Sequence, residues 1–224
     1  NPGITGETLY DWDATCANLA AQATWWEPGT QSGYHALSQG YLEGEIVRRV
    51  TGRSIGTYFR DEVAEPLGAD FHIGLPESEE HRVATMITPD LALGEGQGLD
   101  PDSIAVRALM SCRISGAECN TREWRAAEIP AAGGTGNARS VARVHAALAN
   151  GGTVDGVRLL SAEGVDQIFA EQADGVDLVL GVPMRMGTGF GLMSDLIPLS
   201  PNPRSCFWGG WGGSICVIDV DAQL

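Results

Sequence analysis

The sequence predicts an α+β fold, with helices in the first part of the chain and antiparallel strands towards its end. Apolar residues at helical spacing, framed by capping residues and glycine stops, indicate the helices. Short apolar stretches joined by glycine turns indicate the strands, "DLVLGVPMRM", "GTGFGLM", "SCFW" and "SICVIDV". Because the helices precede the strands instead of alternating with them, the sheet is expected to be antiparallel, with helices packed against it.

The first two predicted helices flank the turn "WWEPGT". The first runs to about Gln22 and begins at a capping box formed by Thr8 and Asp11. The second is predicted over residues 35–50, because its apolar residues recur at helical spacing. They form a stripe that is expected to face the core: Leu37, Tyr41, Leu42, Ile46, Val47 and Val50.

Glycines and one serine set the next boundaries. Gly52 ends the second helix, Ser54 caps a third helix through "IGTYFRDEVAEPL", and Gly68 ends the third. A short strand, "DFHIGLP", follows. Residues 76–130 are rich in Gly, Pro and Asp and show little periodicity, so they are predicted to be a long irregular excursion over an active site.

The remaining helices are "NARSVARVHAALANGG" and a segment that Ser161 opens through "AEGVDQIFAE". The chain shows no internal repeat and no linker. It is therefore predicted to form a single domain over residues 1–224, mostly helical over 1–150, with a helix and antiparallel strands over 151–224.

Composition restricts the possible partners. The formal net charge is −15 at pH 7, and the 14 basic residues, all arginine, are scattered along the chain. This charge repels polyanions, so a small neutral or cationic molecule is expected and a nucleic acid is not. No apolar run reaches the roughly 20 residues that a membrane span needs.

Cysteine usage gives an expectation about the compartment. The chain has five cysteines, widely spaced, which argues against a disulfide framework and favours a reducing compartment. A cytoplasmic location is therefore expected. Cys112 and Cys119 are nevertheless close enough along the chain to pair.

One motif suggests a serine nucleophile. "GRSIG", residues 52–56, fits the G-x-S-x-G pattern of the nucleophile elbow. That elbow needs a strand before the serine, whereas a helix is predicted there and Ser54 lies where an N-cap belongs. The alternative, an α/β-hydrolase that pairs Ser54 with His72, His81 or His145, requires a parallel sheet. The four histidines show no paired spacing, so no metal site is predicted.

Two further stretches carry chemistry. Tyr34 follows the Pro-Gly turn in "WWEPGTQSGYHALSQGYLEGE" and precedes the second helix. A tyrosine whose pKa is lowered by nearby cations can act as a general base toward a serine. In "CFWGGWGGS", a glycine-rich strand edge lets a substrate lie against the backbone, where an N–H stabilises an oxyanion. Taken singly, these features also fit a half-buried aromatic residue and a tight hairpin.

Taken together, these stretches resemble a known family. "PGTQSGYHALSQGYLEGEIVRRVTGRSIGTYFRDEVAEPLGADFHIGLP", "NARSVARVHAALANGGTVDGVRLLS", "GTGFGL" and "WGGWGGS" occur in this order. They are similar to the serine β-lactamase-related hydrolases, close to the family VIII carboxylesterases and class C β-lactamases. The resemblance covers nearly the whole chain. It implies the β-lactamase/transpeptidase-like fold, in which helices flank an antiparallel sheet beside a helical subregion.

The resemblance also implies roles for particular residues. Tyr34 matches the basic tyrosine of the family's Y-x-N-like motif and is the expected general base. Trp208, Gly209 and Gly210 match the strand motif that lines the substrate site. The backbone N–H of Trp211 then falls where one oxyanion donor is expected. No metal or organic cofactor is implied.

The chain departs from the family pattern in several places. It contains no lysine, so the S-x-x-K motif with the nucleophilic serine is expected outside these residues, and this segment alone is expected to be inactive. Ala36 stands where a strict Y-x-N motif has asparagine, which favours esters over β-lactams. The chain stops at "VIDVDAQL", so the domain is expected to be incomplete and, alone, marginally stable.

The resulting hypothesis is a carboxylesterase that acts on small ester substrates through an acyl-enzyme. The alternatives are β-lactamase or D-Ala-D-Ala carboxypeptidase activity, and a non-catalytic binding domain that kept the fold. Trp25, Trp26 and Trp124 are candidates for an apolar acyl pocket, although buried tryptophans are also common in cores.

Overall fold

The computed structural model describes residues 4, 6, 8–88, 100, 102–110 and 114–224. The chain divides into two compact units. The first unit contains Asn1–Arg60, His72–Thr135 and Leu178–Leu180, and the second contains Asp61–Phe71, Gly136–Asp177 and Gly181–Leu224. Whether the chain folds as one domain over 1–224 stays a prediction. No helix in the described part is long and apolar enough to cross a bilayer.

Helix α1, Trp12–Ala21, begins at Asp11. The Asp11 carboxylate accepts the backbone N–H of Ala14 at 2.9 Å and is the N-cap. The backbone carbonyl of Thr8 accepts the N–H of Asp11, one turn earlier. The predicted capping box at Thr8 was therefore wrong, because the carboxylate of Asp11 satisfies the first turn of the helix.

Helix α2, Ser38–Thr51, ends as predicted at Gly52, which adopts a left-handed conformation. Its predicted core-facing stripe was only partly right. Tyr41 is fully buried, whereas Leu42, Ile46 and Val50 are 45%, 63% and 80% exposed. The helix packs on its Tyr41 side, where the core cluster of the first unit consists of Ile4, Leu9, Tyr41, Ile114, Trp124 and Ile129. Periodicity identifies an apolar face but not what covers it.

A carboxylate ties α2 to α1. Glu45 accepts hydrogen bonds from Arg48 Nε at 2.7 Å, Arg49 Nε at 2.8 Å and Trp12 Nε1 at 3.0 Å. The hydrogen bonds from Arg48, Trp12 and Arg49 lower the pKa of Glu45 to about 2. The indole of Trp12 thus anchors α1 to a charged group on α2.

The next helix confirms both predicted caps. Ser54 is the N-cap of α3, Ile55–Phe59, which continues through a π-helical turn at Arg60–Ala64 into α4, Glu65–Leu67. Gly68 ends α4 with a φ of 60°. The predicted strand after it is short, β1 at Phe71–His72.

Residues 76–130 are less irregular than predicted. Among those described, 3₁₀ helices form at Glu77–Arg82 and Gly116–Asn120, and α-helices form at Ile104–Met110 (α5) and Arg122–Ala126 (α6). These segments are too short to show a period in the sequence. Residues 89–99, 101 and 111–113, and with them the candidate pairing of Cys112, lie outside the described residues.

The second unit contains both helices that the sequence predicts, and the second begins at the predicted Ser161. Asn137 caps α7, Ala138–Ala149, and Ser161 caps α8, Ala162–Ile168. The short strand β2, Thr135–Gly136, precedes α7, and a hairpin of β3, Thr153–Val154, and β4, Val157–Arg158, separates the two helices.

The main sheet has five antiparallel strands in chain order, as the α+β prediction requires. They are β5, Ala173–Val176, β6, Pro183–Met186, β7, Gly191–Leu192, β8, Ser205–Gly209, and β9, Ile215–Asp219. A core of Ala149, Ile168, Leu192, Cys206 and Ile218 lies in this unit. The strand predicted over "DLVLGVPMRM" begins only at Pro183, because Leu178–Leu180 leaves the sheet and belongs to the first unit.

Candidate active site

The strand motif lies at the turn end of the β8–β9 hairpin. The register pairs Gly209 with Ile215, and the chain then turns through Gly210–Ser214. The N–H of Gly210 donates to the carbonyl of Ser214 at 2.8 Å, and the N–H of Gly213 donates to the carbonyl of Gly210 at 3.0 Å. The hairpin itself therefore fixes the backbone on both sides of Trp211.

Trp211 presents an unused backbone donor in this turn. Its N–H makes no hydrogen bond to any acceptor within the described part of the chain, and the residue is 55% exposed. The neighbouring Gly209 and Gly210 are exposed as well. Trp208, Gly209, Gly210 and the Trp211 N–H thus lie together at the end of β8. Glycine lets a substrate come close to the backbone, and a backbone N–H at such a place can stabilise a developing oxyanion.

A buried carboxylate lies at the opposite end of the same hairpin, where β8 begins and β9 ends. Asp219 pairs with Ser205 across the strands and accepts hydrogen bonds from Ser200 Oγ at 2.7 Å, Asn202 Nδ2 at 2.8 Å and the N–H of Ala222 at 2.8 Å. Burial alone would raise the pKa of Asp219, but these hydrogen bonds outweigh it and lower the pKa to about 2. Sequence reasoning missed this cluster, because its donors are not arranged in a motif.

The loop that carries Tyr34 is built on a turn. The N–H of Thr30 donates to the carbonyl of Glu27 at 3.2 Å, and Gly29 has a φ of 84°. Proline followed by a glycine of positive φ is typical of a type II turn. Tyr34 lies half-buried after this turn, four residues before α2 begins.

Burial raises the pKa of Tyr34 above its ordinary value of 10.0. Sequence reasoning required the opposite direction for a general base, through nearby cations. The reason for the difference is desolvation, which disfavours the charged phenolate. Burial therefore works against the phenolate form that a general base needs.

Ser54 is a structural serine. Its Oγ accepts the N–H of Thr57 at 3.2 Å and donates to Glu128 Oε1 at 2.7 Å, and the second carboxylate oxygen accepts the N–H of Gly56 at 3.0 Å. A helix precedes it and the main sheet is antiparallel. The α/β-hydrolase alternative was therefore wrong, because the nucleophile elbow needs a strand-to-helix turn.

The three candidate tryptophans have different surroundings. Trp124 is 5% exposed and part of the core, so it is not available to a pocket. The ring of Trp25 faces the guanidinium of Arg107, 4.1 Å from the ring centroid. Trp26 contacts its own loop at Gln31 and Gly33. Within the described ranges, no cluster of His, Cys, Asp and Glu side chains could hold a metal ion.

The five-stranded antiparallel sheet with its helices defines a β-lactamase/transpeptidase-like fold. The chain matches the Beta-lactamase family over residues 1–224 and belongs to it. The fold and the family that the sequence motifs indicated are thereby confirmed.

Relatives in this family include esterases. Over 213 residues the chain is 34% identical to "Esterase/beta-lactamase LipL" of Mycobacterium tuberculosis, which covers 84% of the chain and 46% of LipL. It is 42% identical to a solved family VIII carboxylesterase, with a TM-score of 0.86, covering 98% of the chain and 58% of that structure.

A penicillin-binding protein homologue has also been solved. This protein from Caulobacter crescentus shows 40% identity and a TM-score of 0.85, over 100% of the chain and 58% of the homologue. The chain thus spans about half the length of these relatives, between 46% and 58%.

Proposed function

We propose that this chain carries the general base and one oxyanion donor of a serine hydrolase that cleaves small carboxylic esters through an acyl-enzyme. The observation that carries the proposal is the Trp211 N–H, which lies in the exposed turn after β8 and makes no hydrogen bond to an acceptor among the described residues. The names of the relatives support the ester as substrate, since both an esterase and a carboxylesterase are among them.

In the proposed reaction a serine oxygen attacks the ester carbonyl carbon while Tyr34 accepts the serine proton. The carbonyl oxygen becomes an oxyanion that the N–H of Trp211 and the N–H of the serine stabilise. Collapse of this intermediate expels the alcohol, which receives the proton from Tyr34. Water then attacks the acyl-enzyme by the same route and releases the carboxylic acid.

The serine and its lysine are proposed to lie outside these 224 residues, because the chain contains no lysine. Burial raises the pKa of Tyr34, which disfavours its phenolate. A nearby cation favours the phenolate that a general base requires, and the ammonium of an S-x-x-K motif would supply that charge. The segment alone is therefore expected to be inactive.

Hydrolysis of β-lactams is the second candidate, because LipL is named both an esterase and a β-lactamase. Ala36 lacks the side-chain amide that an asparagine would offer for β-lactam recognition, which favours esters. Peptidase action on D-Ala-D-Ala peptides and a non-catalytic binding role complete the alternatives. The experiment below compares ester with β-lactam hydrolysis, and the absence of both would favour the non-catalytic role or the peptidase.

The test compares Tyr34→Phe with the wild type in the full-length protein that carries this segment. Initial rates are measured with p-nitrophenyl butyrate and with a chromogenic cephalosporin. We expect ester hydrolysis to exceed lactam hydrolysis, and Tyr34→Phe to lower kcat by about 100- to 10,000-fold, as removal of a general base does. The matched control is Tyr58→Phe, since Tyr58 stacks on Arg53 and has no proposed role. Unchanged turnover in Tyr34→Phe would refute the assignment of the base.

A further inference from the structure

We propose that Trp26 is the positioning residue of Tyr34: its indole fixes the backbone that leads into the proposed base. This inference rests on the catalytic role proposed for Tyr34. The contacts involved all lie within the first unit.

The indole of Trp26 holds the loop in two ways. Its Nε1–H donates to the carbonyl of Gln31 at 3.2 Å. The far edge of its ring lies against Gly33, where an added Cβ would be only 2.5 Å from Cη2 and 3.0 Å from Cζ2. Contacts that short do not occur, so only glycine leaves room for the ring at this position.

The residue between these two contacts is fixed from another direction. The carbonyl of Ser32 accepts the N–H of Leu178 at 2.8 Å, which comes from the segment that leaves the sheet. The imidazole of His35 also donates from Nδ1 to the carbonyl of Gly33 at 2.8 Å. Residues 31, 32 and 33 are thus each held directly before Tyr34, two of them by Trp26.

The adjacent tryptophan faces a different partner. The ring of Trp25 stacks on the guanidinium of Arg107, which belongs to α5, and therefore holds the loop to a neighbouring helix. Trp26 acts inside the loop. A general base must lie within hydrogen-bond reach of the proton that it takes, and a displacement of about 1 Å can reduce the rate by about 100-fold. Contacts that fix the Tyr34 backbone therefore bear directly on turnover.

The test uses Gly33→Ala and Trp26→Phe in the full-length protein. Gly33→Ala forces the indole and the loop apart, whereas Trp26→Phe removes the Nε1–H and keeps an aromatic ring. We expect kcat for p-nitrophenyl butyrate to fall by about 100-fold in Gly33→Ala and by about 10-fold in Trp26→Phe, with KM within twofold of the wild type. A rise in KM at unchanged kcat would show instead that Trp26 binds substrate.

Matched controls separate positioning from general destabilisation. Gly164→Ala adds a methyl group in α8, where the nearest atom is at an ordinary 3.5 Å. Trp12→Phe removes an indole N–H that binds the Glu45 carboxylate at 3.0 Å. Both controls are expected to keep the wild-type kcat, although Trp12→Phe is expected to lower the melting temperature.

A second readout does not depend on turnover. Tyrosines labelled at Cζ report the pH titration of Tyr34 by NMR in the same full-length protein, with Tyr34→Phe providing the assignment. We expect Gly33→Ala to move the titration of Tyr34 towards that of an exposed tyrosine. If Tyr34→Phe keeps full activity, the proposed function fails, and this readout still decides whether Trp26 fixes Tyr34. Titration of Tyr34 that is identical in the wild type, Gly33→Ala and Trp26→Phe would overturn the inference.

Discussion

The two ends of the β8–β9 hairpin differ in whether their polar groups are buried and hydrogen-bonded. At the Ser205 and Asp219 end, both residues are buried and the carboxylate is satisfied by donors from three neighbouring residues. At the other end, Gly209 to Ser214 are exposed and the N–H of Trp211 makes no hydrogen bond among the described residues. Both ends share the same pair of strands.

This contrast separates stability from function within one hairpin. A buried hydrogen-bonded carboxylate rigidifies the strands, because breaking the cluster leaves polar groups unsatisfied. A rigid hairpin can hold a backbone donor at a fixed place while that donor stays available to a substrate. We therefore expect substitutions at the Ser205 and Asp219 end to change the free energy of unfolding and substitutions at the turn end to change turnover.

Within the β8–β9 hairpin, the largest expected effect is that of Trp211→Pro. Trp211 occupies the second position of the turn that the Gly213 N–H closes on Gly210, a position that accepts proline. The substitution deletes the proposed oxyanion donor, and we expect the turn to be kept. We expect kcat of the full-length protein to fall by about 100- to 1000-fold, with the melting temperature unchanged. Wild-type turnover in a folded Trp211→Pro protein would exclude this N–H as the donor.

The next largest effect is expected on stability, at the Ser205 and Asp219 end. Asp219→Ala leaves the hydroxyl of Ser200 and the amide of Asn202 without their acceptor. We expect the free energy of unfolding in urea to fall by about 2–4 kcal/mol. Asp221→Ala is the matched control, because Asp221 is exposed and accepts one backbone N–H at 3.3 Å; it is expected to cost about 0.5 kcal/mol or less. Equal effects of the two substitutions would contradict the role of the cluster.

The lowered pKa of Asp219 also predicts that stability depends on pH in acid. The pKa of Asp219 lies at about 2 in the folded chain against an ordinary 3.8, so its stabilising contribution is present above pH 3.8 and is lost as the pH falls towards 2. A shift of this size corresponds to about 2 kcal/mol. We expect the unfolding free energy of the wild type to decrease more steeply between pH 5 and pH 2, on the order of this amount, than that of Asp219→Asn. Parallel curves would show that Asp219 is not the titrating group.

The smallest effect is expected for Trp211→Ala. The substitution removes a side chain that is 55% exposed and keeps the backbone N–H. We expect kcat to stay within about threefold of the wild type, because the proposed oxyanion donor is retained. A loss as large as that of Trp211→Pro would mean that the indole, and not the N–H, acts on the substrate.

Local sequence signals predicted much of the fold. The caps at Ser54 and Ser161 and the glycine stops at Gly52 and Gly68 lie where the sequence placed them. Each is decided by a few neighbouring residues, so it can be read without the tertiary structure. The antiparallel sheet followed from short strands separated by glycine turns.

Contacts between distant residues could not be predicted in this way. The Asp219 cluster joins donors at positions 200, 202 and 222, which no periodic pattern relates. The exposure of Ile46 and Val50 depends on what packs on α2, and the raised pKa of Tyr34 depends on its burial. Of the candidate site, the strand end and the position of Tyr34 came from motifs that resemble a family. The environment of each residue came only from the structure.

Covalent labelling identifies the nucleophilic serine. The full-length protein is treated with a fluorophosphonate probe, and the modified residue is identified by peptide mass spectrometry. We predict a single adduct on a serine of an S-x-x-K motif outside these 224 residues and none on Ser54, which the structure holds as a helix cap. An adduct on Ser54 that abolishes turnover would show instead that Ser54 is the nucleophile.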